Sequence, residues 1–371
     1  MRNDTMGIIL TGDDKITPLT DIRANSALPI AGRYRIIDFV LSNMANAGMI
    51  NVGIATESNY SSLMDHTKSG KPWDLDRKNL GLQLLPPNIE KKFGVIKGNI
   101  DLLAGIREYI HRSTHPYVIL SLGNMIYNID FDAVVKSHIE QQADITVVYK
   151  NVNGMEESEL SRFTLLDIDG EGRVCDIEVQ PYYPKTTNAS LEVFVMEKVL
   201  LESIIDECSA RGDVDFVKDA IIKKMSGTRI FGYEFDGNFY KIDSMKSYYR
   251  TNMEFLKADR RDELFNRKRP IYTKTKDQSP SKYGDEAVCK NSFISDGCVI
   301  EGTVINSVLS RGVKVEKGAI VKDSVIMQDS VIESGAEVNY VVFDKEVVIT
   351  KGRKLIGQEN YPLAISKGMV I

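Results

Sequence analysis

Chemistry is first on offer where a short apolar run meets a glycine and two acids. Ile8–Leu10 reads as a buried strand, and "TGDDKIT" (Thr11–Thr17) follows it as a loop. In α/β proteins a loop at that place holds phosphates on bare backbone N–H groups. Here a single glycine, Gly12, stands beside Asp13 and Asp14, with Lys15 next. Two carboxylates would repel a phosphate, and a solvated turn explains them equally well. Arg23, Arg33 and Arg35 cluster just beyond the loop, and by themselves read as a charged surface. His111 and His115 have the i,i+4 spacing of a helical metal pair. Pro116 closes that helix and no acidic third ligand follows, so surface histidines are expected. The four cysteines (Cys175, Cys208, Cys289, Cys298) are scattered without CxxC spacing, as free thiols of a reducing cytosol would be.

The elements that must position these groups fall into two textures. Up to about residue 250, apolar runs such as "NVGIAT", "YVILSL" and "DITVVYK" alternate with helical segments, among them "YRIIDFVLSNMANAG", about Leu102 to His111, and "FDAVVKSHIEQQ". That alternation predicts βαβ units and a mainly parallel, doubly wound α/β sheet of Rossmann-like type. Ligands of such a sheet sit beyond the carboxyl ends of its strands, so "TGDD" and "GNM" (Gly123–Met125) should share one crevice. Residues 253–290 are charged, with prolines and no sustained period, and read as a linker. Beyond it, Val315-Glu-Lys-Gly318, Ile332-Glu-Ser-Gly335 and Ile349-Thr-Lys-Gly352 repeat at 17-residue spacing, with a six-residue phase inside "DSVIMQDSVIESG". This predicts a left-handed parallel β-helix of hexapeptide repeats, aliphatics inward. The expected organisation is therefore 1–252, a linker 253–290, and a β-helix 291–371.

That pairing of domains becomes specific through "AGRYRIIDFVLSNMANAG" (Ala31–Gly48), "WDLDRKN" (Trp73–Asn79), "LPP" (Leu85–Pro87) and "IYNIDF" (Ile126–Phe131). With these motifs the chain resembles the glucose-1-phosphate adenylyltransferases over nearly its whole length. The resemblance implies a nucleotidyltransferase fold in which glucose 1-phosphate attacks the α-phosphorus of ATP, with Mg²⁺ held by aspartates and cations around the phosphates. Against the family's motifs, the chemical positions of this sequence have changed. The loop GGxGxRL is here "TGDDKIT", without the arginine; Asn25 stands for the lysine of AKPAVPFGG. Asn124 replaces the metal-binding aspartate of GDHIYKMD, and Gln180 the sugar-phosphate lysine of EKP. Lys241 aligns with the second metal aspartate of WRDVGT; a shift by two would offer Asp243 instead. Asparagine is neutral and gives a hard cation one carbonyl oxygen. Degenerate nucleotide and metal positions (Gly12, Asp13, Asp14, Asn124, Lys241, Asp243) and sugar-phosphate positions (Asn25, Gln180) thus go together.

This combination resembles the GlgD-type, non-catalytic subunits of that family. It implies a regulatory, catalytically impaired partner of a catalytic subunit in a hetero-oligomer, expected as a tetramer, in glycogen biosynthesis. Mg²⁺ would matter only with residual activity, and the alternative is a weakly active adenylyltransferase. The resemblance also implies an anionic effector, a sugar phosphate or nucleotide, at Arg23, Arg33 and Arg35. Trp73, amid charges, is expected at a subunit contact or pocket rim. A hexapeptide acyltransferase needs a histidine in the β-helix, and all four histidines precede it. A net charge of −5 gives no reason to expect nucleic acid or an anionic membrane. No apolar run approaches ~20 residues, and the first residues do not read as a signal peptide, so a cytoplasmic protein is expected.

Overall fold

The computed structural model describes residues 4–12, 14–57, 59–86 and 96–371. The chain divides into two compact units, each discontinuous in sequence. The first holds Met1–Gly12, Val40–Tyr60 and Thr67–Phe239; the second holds Asp13–Phe39, Ser61–His66 and Tyr240–Ile371.

Among its described residues, the first unit builds one nine-stranded sheet. Its strands are β1 (Thr5–Leu10), β2 (Asn51–Ala55), β3 (Gly81–Leu85), β4 (Tyr117–Leu122), β5 (Ile145–Asn151), β6 (Thr164–Ile168), β7 (Val174–Val179), β8 (Asn188–Glu197) and β9 (Ile230–Glu234). β4, β1, β2 and β3 lie side by side and parallel, as the βαβ alternation predicts. β8 runs antiparallel to β4, β5 and β6, so the sheet is mixed rather than mainly parallel. β6 and β7 add a further antiparallel pair, joined by a short turn at Asp169–Arg173, as a tight turn joins only antiparallel strands. Met6, Ile8 and Leu10 of β1 alternate onto one face, with Val118 and Leu120 beside them, and bury against Ile100, Leu103, Ile204 and Ile205.

The segment Leu102–His111, read as one helix, forms two, Asn99–Gly105 and Arg107–Arg112, because Ile106 between them leaves helical geometry. His115 is buried, its ring nitrogen 2.9 Å from the Ser113 hydroxyl, and is not a surface histidine. Trp73 is 2% exposed, so it belongs to the core of this unit rather than to a rim. It closes a single 3₁₀ turn whose N–H donates to Gly70, which at φ +80 reverses the chain and folds the ring inward.

The helix Phe131–Glu140 starts on Asp130, whose carboxylate accepts the Ala133 N–H, and buries His138 against Thr146 at 2.9 Å. Burial holds this imidazole down to about 4, with the Asp144 charge opposing. It is neutral in the fold, while the unfolded chain binds a proton there below about 6.5. Stability contributed by this group is therefore lost as pH falls from about 6.5 through 4, by up to about 3 kcal/mol. Denaturation midpoints at pH 7 and near pH 4.5 should show that loss, and His138→Gln should flatten it. An unchanged slope in the variant counts against His138 as its source.

The second unit carries a parallel β-helix of five coils among its described residues, each coil giving one strand to each of three faces. The predicted aliphatics do point inward: Ile300, Val315, Ile332 and Ile349 stack on one face, Val304, Val321 and Val338 on the next, Leu309, Ile326 and Phe343 on the third. Corners fall on residues that accept positive φ, including Asn291, Asn306 and Asp323 at one corner and Gly318, Gly335 and Gly352 at another. At the first of these corners Ser292, Ser307 and Ser324 form a ladder, each hydroxyl accepting a backbone N–H from the coil above. Residues 253–290 contain the helix Ala258–Leu264 and the first two β-helix strands, Lys282–Tyr283 and Val288–Lys290.

Candidate functional site

In the first unit, Gly12 follows the carboxyl end of β1 and Asn124 follows that of the neighbouring β4. The two strand ends are tied where the Gly123 N–H donates to Leu10 at 2.8 Å, so Thr11–Gly12 and Gly123–Asn124 leave the sheet side by side. Asn124 is buried. Gln180 lies at the end of β7, exposed, at φ +49, its N–H donated to Phe163. Next to it is a group that sequence reasoning missed. Glu192 sits in the bulge of β8 at φ +54, buried, accepting the Thr164 hydroxyl at 2.9 Å. A buried carboxylate therefore lies one strand away from the Gln180 end of β7, and only the bulge, invisible in a period-two strand pattern, turns it inward.

Asp13 lies outside the described residues. In the second unit, Asn25 is buried and donates to the Ile242 carbonyl at 2.7 Å, which pins the Lys241–Asp243 segment. Asp243 accepts the Ser247 hydroxyl at the start of the helix Met245–Glu254. Asn25 thus has a structural task here. Among the described residues no three His, Cys, Asp or Glu side chains converge to hold a metal ion. At the two positions where the resemblance implies metal aspartates, Asn124 and Lys241 supply no carboxylate, a poor match to a two-aspartate Mg²⁺ site.

The strongest electrostatic feature lies wholly in the second unit. Pro29–Ile30 and Tyr34–Arg35 form a small hairpin, braced by the stacking of Tyr34 on Phe265 and by the Tyr248 hydroxyl donating to Pro29. Gly32, at φ +77, is the point of closest approach: a Cβ there would stand 2.6 Å from the Ser295 hydroxyl. This lets Arg33 and Arg35 line a small open cleft, with a cavity volume of about 40 Å³, together with Lys274, Lys276, Arg311 and Lys345. Six cations line it, together with His66, and no carboxylate does.

The nearby acids are already engaged. Asp38 accepts from His66 at 2.5 Å and from the Arg35 N–H; Asp65 pairs with Lys274. Asp344 pairs with Arg23 at 2.8 Å, the two side chains 1% and 3% exposed. Arg23 therefore does not face the cleft as a ligand would; it holds the β-helix corner next to Lys345. Among the described residues, Arg33, Lys276, Arg311 and Lys345 have no ion-pair partner, and the Nε of Arg311 is buried without a hydrogen bond. Burial and the repulsion of Arg35, Arg23 and Lys276 push the Lys345 ammonium down to about 8. Burial lowers Arg35 to about 10, with Arg23 adding to it and Asp38 opposing. Burial lowers Lys276 and Arg311 too, with Lys274 next for the first and Arg33 for the second. Burial leads each of these shifts, and in each at least one neighbouring cation adds to it.

Comparison with known proteins agrees with this architecture. Residues 6–258 match the family described as Nucleotidyl transferase, and residues 277–361 match GlmU-like, C-terminal hexapeptide. The chain is 35% identical to the glycogen biosynthesis protein GlgD of Bacillus subtilis (strain 168), over all of this chain and 97% of that one. It is 33% identical to a glucose-1-phosphate adenylyltransferase of Clostridium perfringens (strain SM101 / Type A), over all of this chain and 96% of that one. A third relative, the glucose-1-phosphate adenylyltransferase of Thermosipho melanesiensis, is 34% identical over 87% of this chain and 78% of its own.

Proposed function

We infer that this chain, which belongs to the glucose-1-phosphate adenylyltransferase family, serves glycogen biosynthesis as a regulatory, catalytically impaired subunit. In this reading it pairs with a catalytic subunit that makes ADP-glucose and diphosphate from ATP and glucose 1-phosphate. The observation that carries the reading is where its charge lies. The positions that should meet phosphates and metal hold Asn25, Asn124 and Gln180, all neutral, and Glu192 stands beside the last of them. The cleft of the second unit instead keeps six cations and admits no acid. Phosphate chemistry needs cations at the reacting groups; an effector site needs them elsewhere. Arg33 and Arg35 are the anion ligands, and Arg23 stands behind them, held on Asp344. The anion would be a sugar phosphate or a nucleotide.

Partnership with a related chain suits a hetero-oligomer built on pseudo-isologous contacts. No helix among the described residues is long and apolar enough to cross a membrane. Co-expression with the catalytic paralogue of the same genome tests the reading. The two chains should co-purify, and the complex should differ from the catalytic subunit alone in activity or in effector response. Separate elution with unchanged kinetics would remove its main support. A weakly active enzyme is the second reading, resting on Asp243, whose carboxylate is pinned one residue beyond Ile242.

A further inference from the structure

Five of the cleft's neighbours carry a charge that ordinary pH cannot remove or that a carboxylate already balances. Arg33, Arg35 and Arg311 are guanidinium groups, Arg23 is both guanidinium and paired, and Lys274 is held on Asp65. Lys345 is different. It is a half-buried lysine at the β-helix corner, one residue after Asp344. The carboxylate beside it spends one oxygen on Arg23 and on the N–H of Lys345 itself at 2.7 Å, and its other oxygen is buried without a hydrogen bond. The ammonium meets Arg35, Arg23 and Lys276 with no counter-ion of its own among the described residues.

Resting on the reading of this cleft as an anion site, we propose that anion binding there is coupled to protonation of Lys345, so that the site fills with uptake of a proton and loosens as pH rises. The proton comes from solvent. An empty cleft crowds like charges, and the lysine is the group that relieves the crowding by losing its proton. A bound dianion reverses the local field and holds the proton on. Burial and the neighbouring cations already bring its ordinary value near 10.5 down to about 8, so the coupling falls within reach of cellular pH. Of the other groups facing it, Arg23, Arg35 and Arg311 are guanidinium groups, Asp344 is paired with Arg23, and His66 is hydrogen-bonded to Asp38. Lys276 is the one rival, since burial and Lys274 also lower it.

Sulfate is the suitable probe, because it stays a dianion across the range and any proton taken up belongs to the protein. Its Kd should be measured calorimetrically on the full chain from about pH 7 to 9.5, in buffers of differing ionisation heat. The expected result is a Kd that weakens about tenfold per pH unit above about 8, with a buffer-dependent heat, as one linked proton requires. Lys345→Arg should bind sulfate with no pH dependence, and Lys276→Arg should keep the wild-type slope. A wild-type Kd that is flat while sulfate binds overturns the coupling and leaves the anion site standing. A slope that survives in Lys345→Arg overturns it as well. Failure of the wild-type chain to bind sulfate at any pH overturns the anion site itself, and the coupling with it.

Discussion

Purified and given ATP, glucose 1-phosphate and Mg²⁺, the protein should form ADP-glucose at least about a thousand-fold more slowly than a relative with the family's full set of charged residues. Removing one group that stabilises transition-state charge costs about 10²–10³ in rate. This chain changes several such groups at once, and losses within one unit are not additive, so the floor is set near a single large loss rather than their product. In the proposed reading, the loop that would face a triphosphate carries Asp13 and Asp14 in its sequence. At an effective dielectric near 20, a pair of like charges ~4 Å apart costs about 4 kcal/mol. Restoring Asn124→Asp, Gln180→Lys and Lys241→Asp together should therefore recover less than about tenfold, because "TGDD" and Glu192 remain. A coupled assay for diphosphate, backed by chromatographic detection of ADP-glucose, reads both. Turnover within tenfold of a complete relative would sink the impaired reading and favour the weakly active one.

What the sequence disclosed and what it hid divide along a physical line. The β-helix was legible because a coil buries one aliphatic per strand, so Val315, Ile332 and Ile349 keep a fixed 17-residue interval that nothing else imposes. The parallel heart of the sheet was legible for the same reason, as apolar runs between helical periods. Trp73 was misplaced because its burial comes from a loop reversal at Gly70, and a lone ring among charges has no period to read. His115 was misplaced because two-residue spacing to Ser113 carries no burial signal. At the cleft, three arginines were visible as a local cluster, yet only two of them face it. The partner that withdraws Arg23 lies 321 positions away, and Lys274, Lys276, Arg311 and Lys345 join through the fold alone. Local charge can be read from sequence; the balance of charge cannot, since it depends on which acids arrive with the bases.

That balance gives a test in which stability and ligand response move together. Asp344→Asn should lower stability by about 3 kcal/mol or more, since it leaves Arg23 a buried cation without its counter-ion. The size of the loss follows from the site: the amide keeps the shape of the carboxylate while one negative charge disappears beside Arg35 and Lys345. Sulfate should then stabilise this variant more than the wild type, because the dianion supplies charge that the protein has lost, and a ligand stabilises the folded state in proportion to its occupancy. Arg23→Met also breaks the pair and should also destabilise, but with the opposite ligand response. It leaves Asp344 ionised and unmatched next to Lys345, removes a cation and repels sulfate, so added sulfate should stabilise it less than the wild type. Thermal unfolding of the three proteins with and without sulfate at neutral pH measures all of this. Equal sulfate responses in the two variants would mean that the Arg23–Asp344 pair only braces the corner and is electrically separate from the cleft. Opposite responses would mean that the pair sets the cleft's charge, with Arg23 acting on the anion from behind rather than touching it.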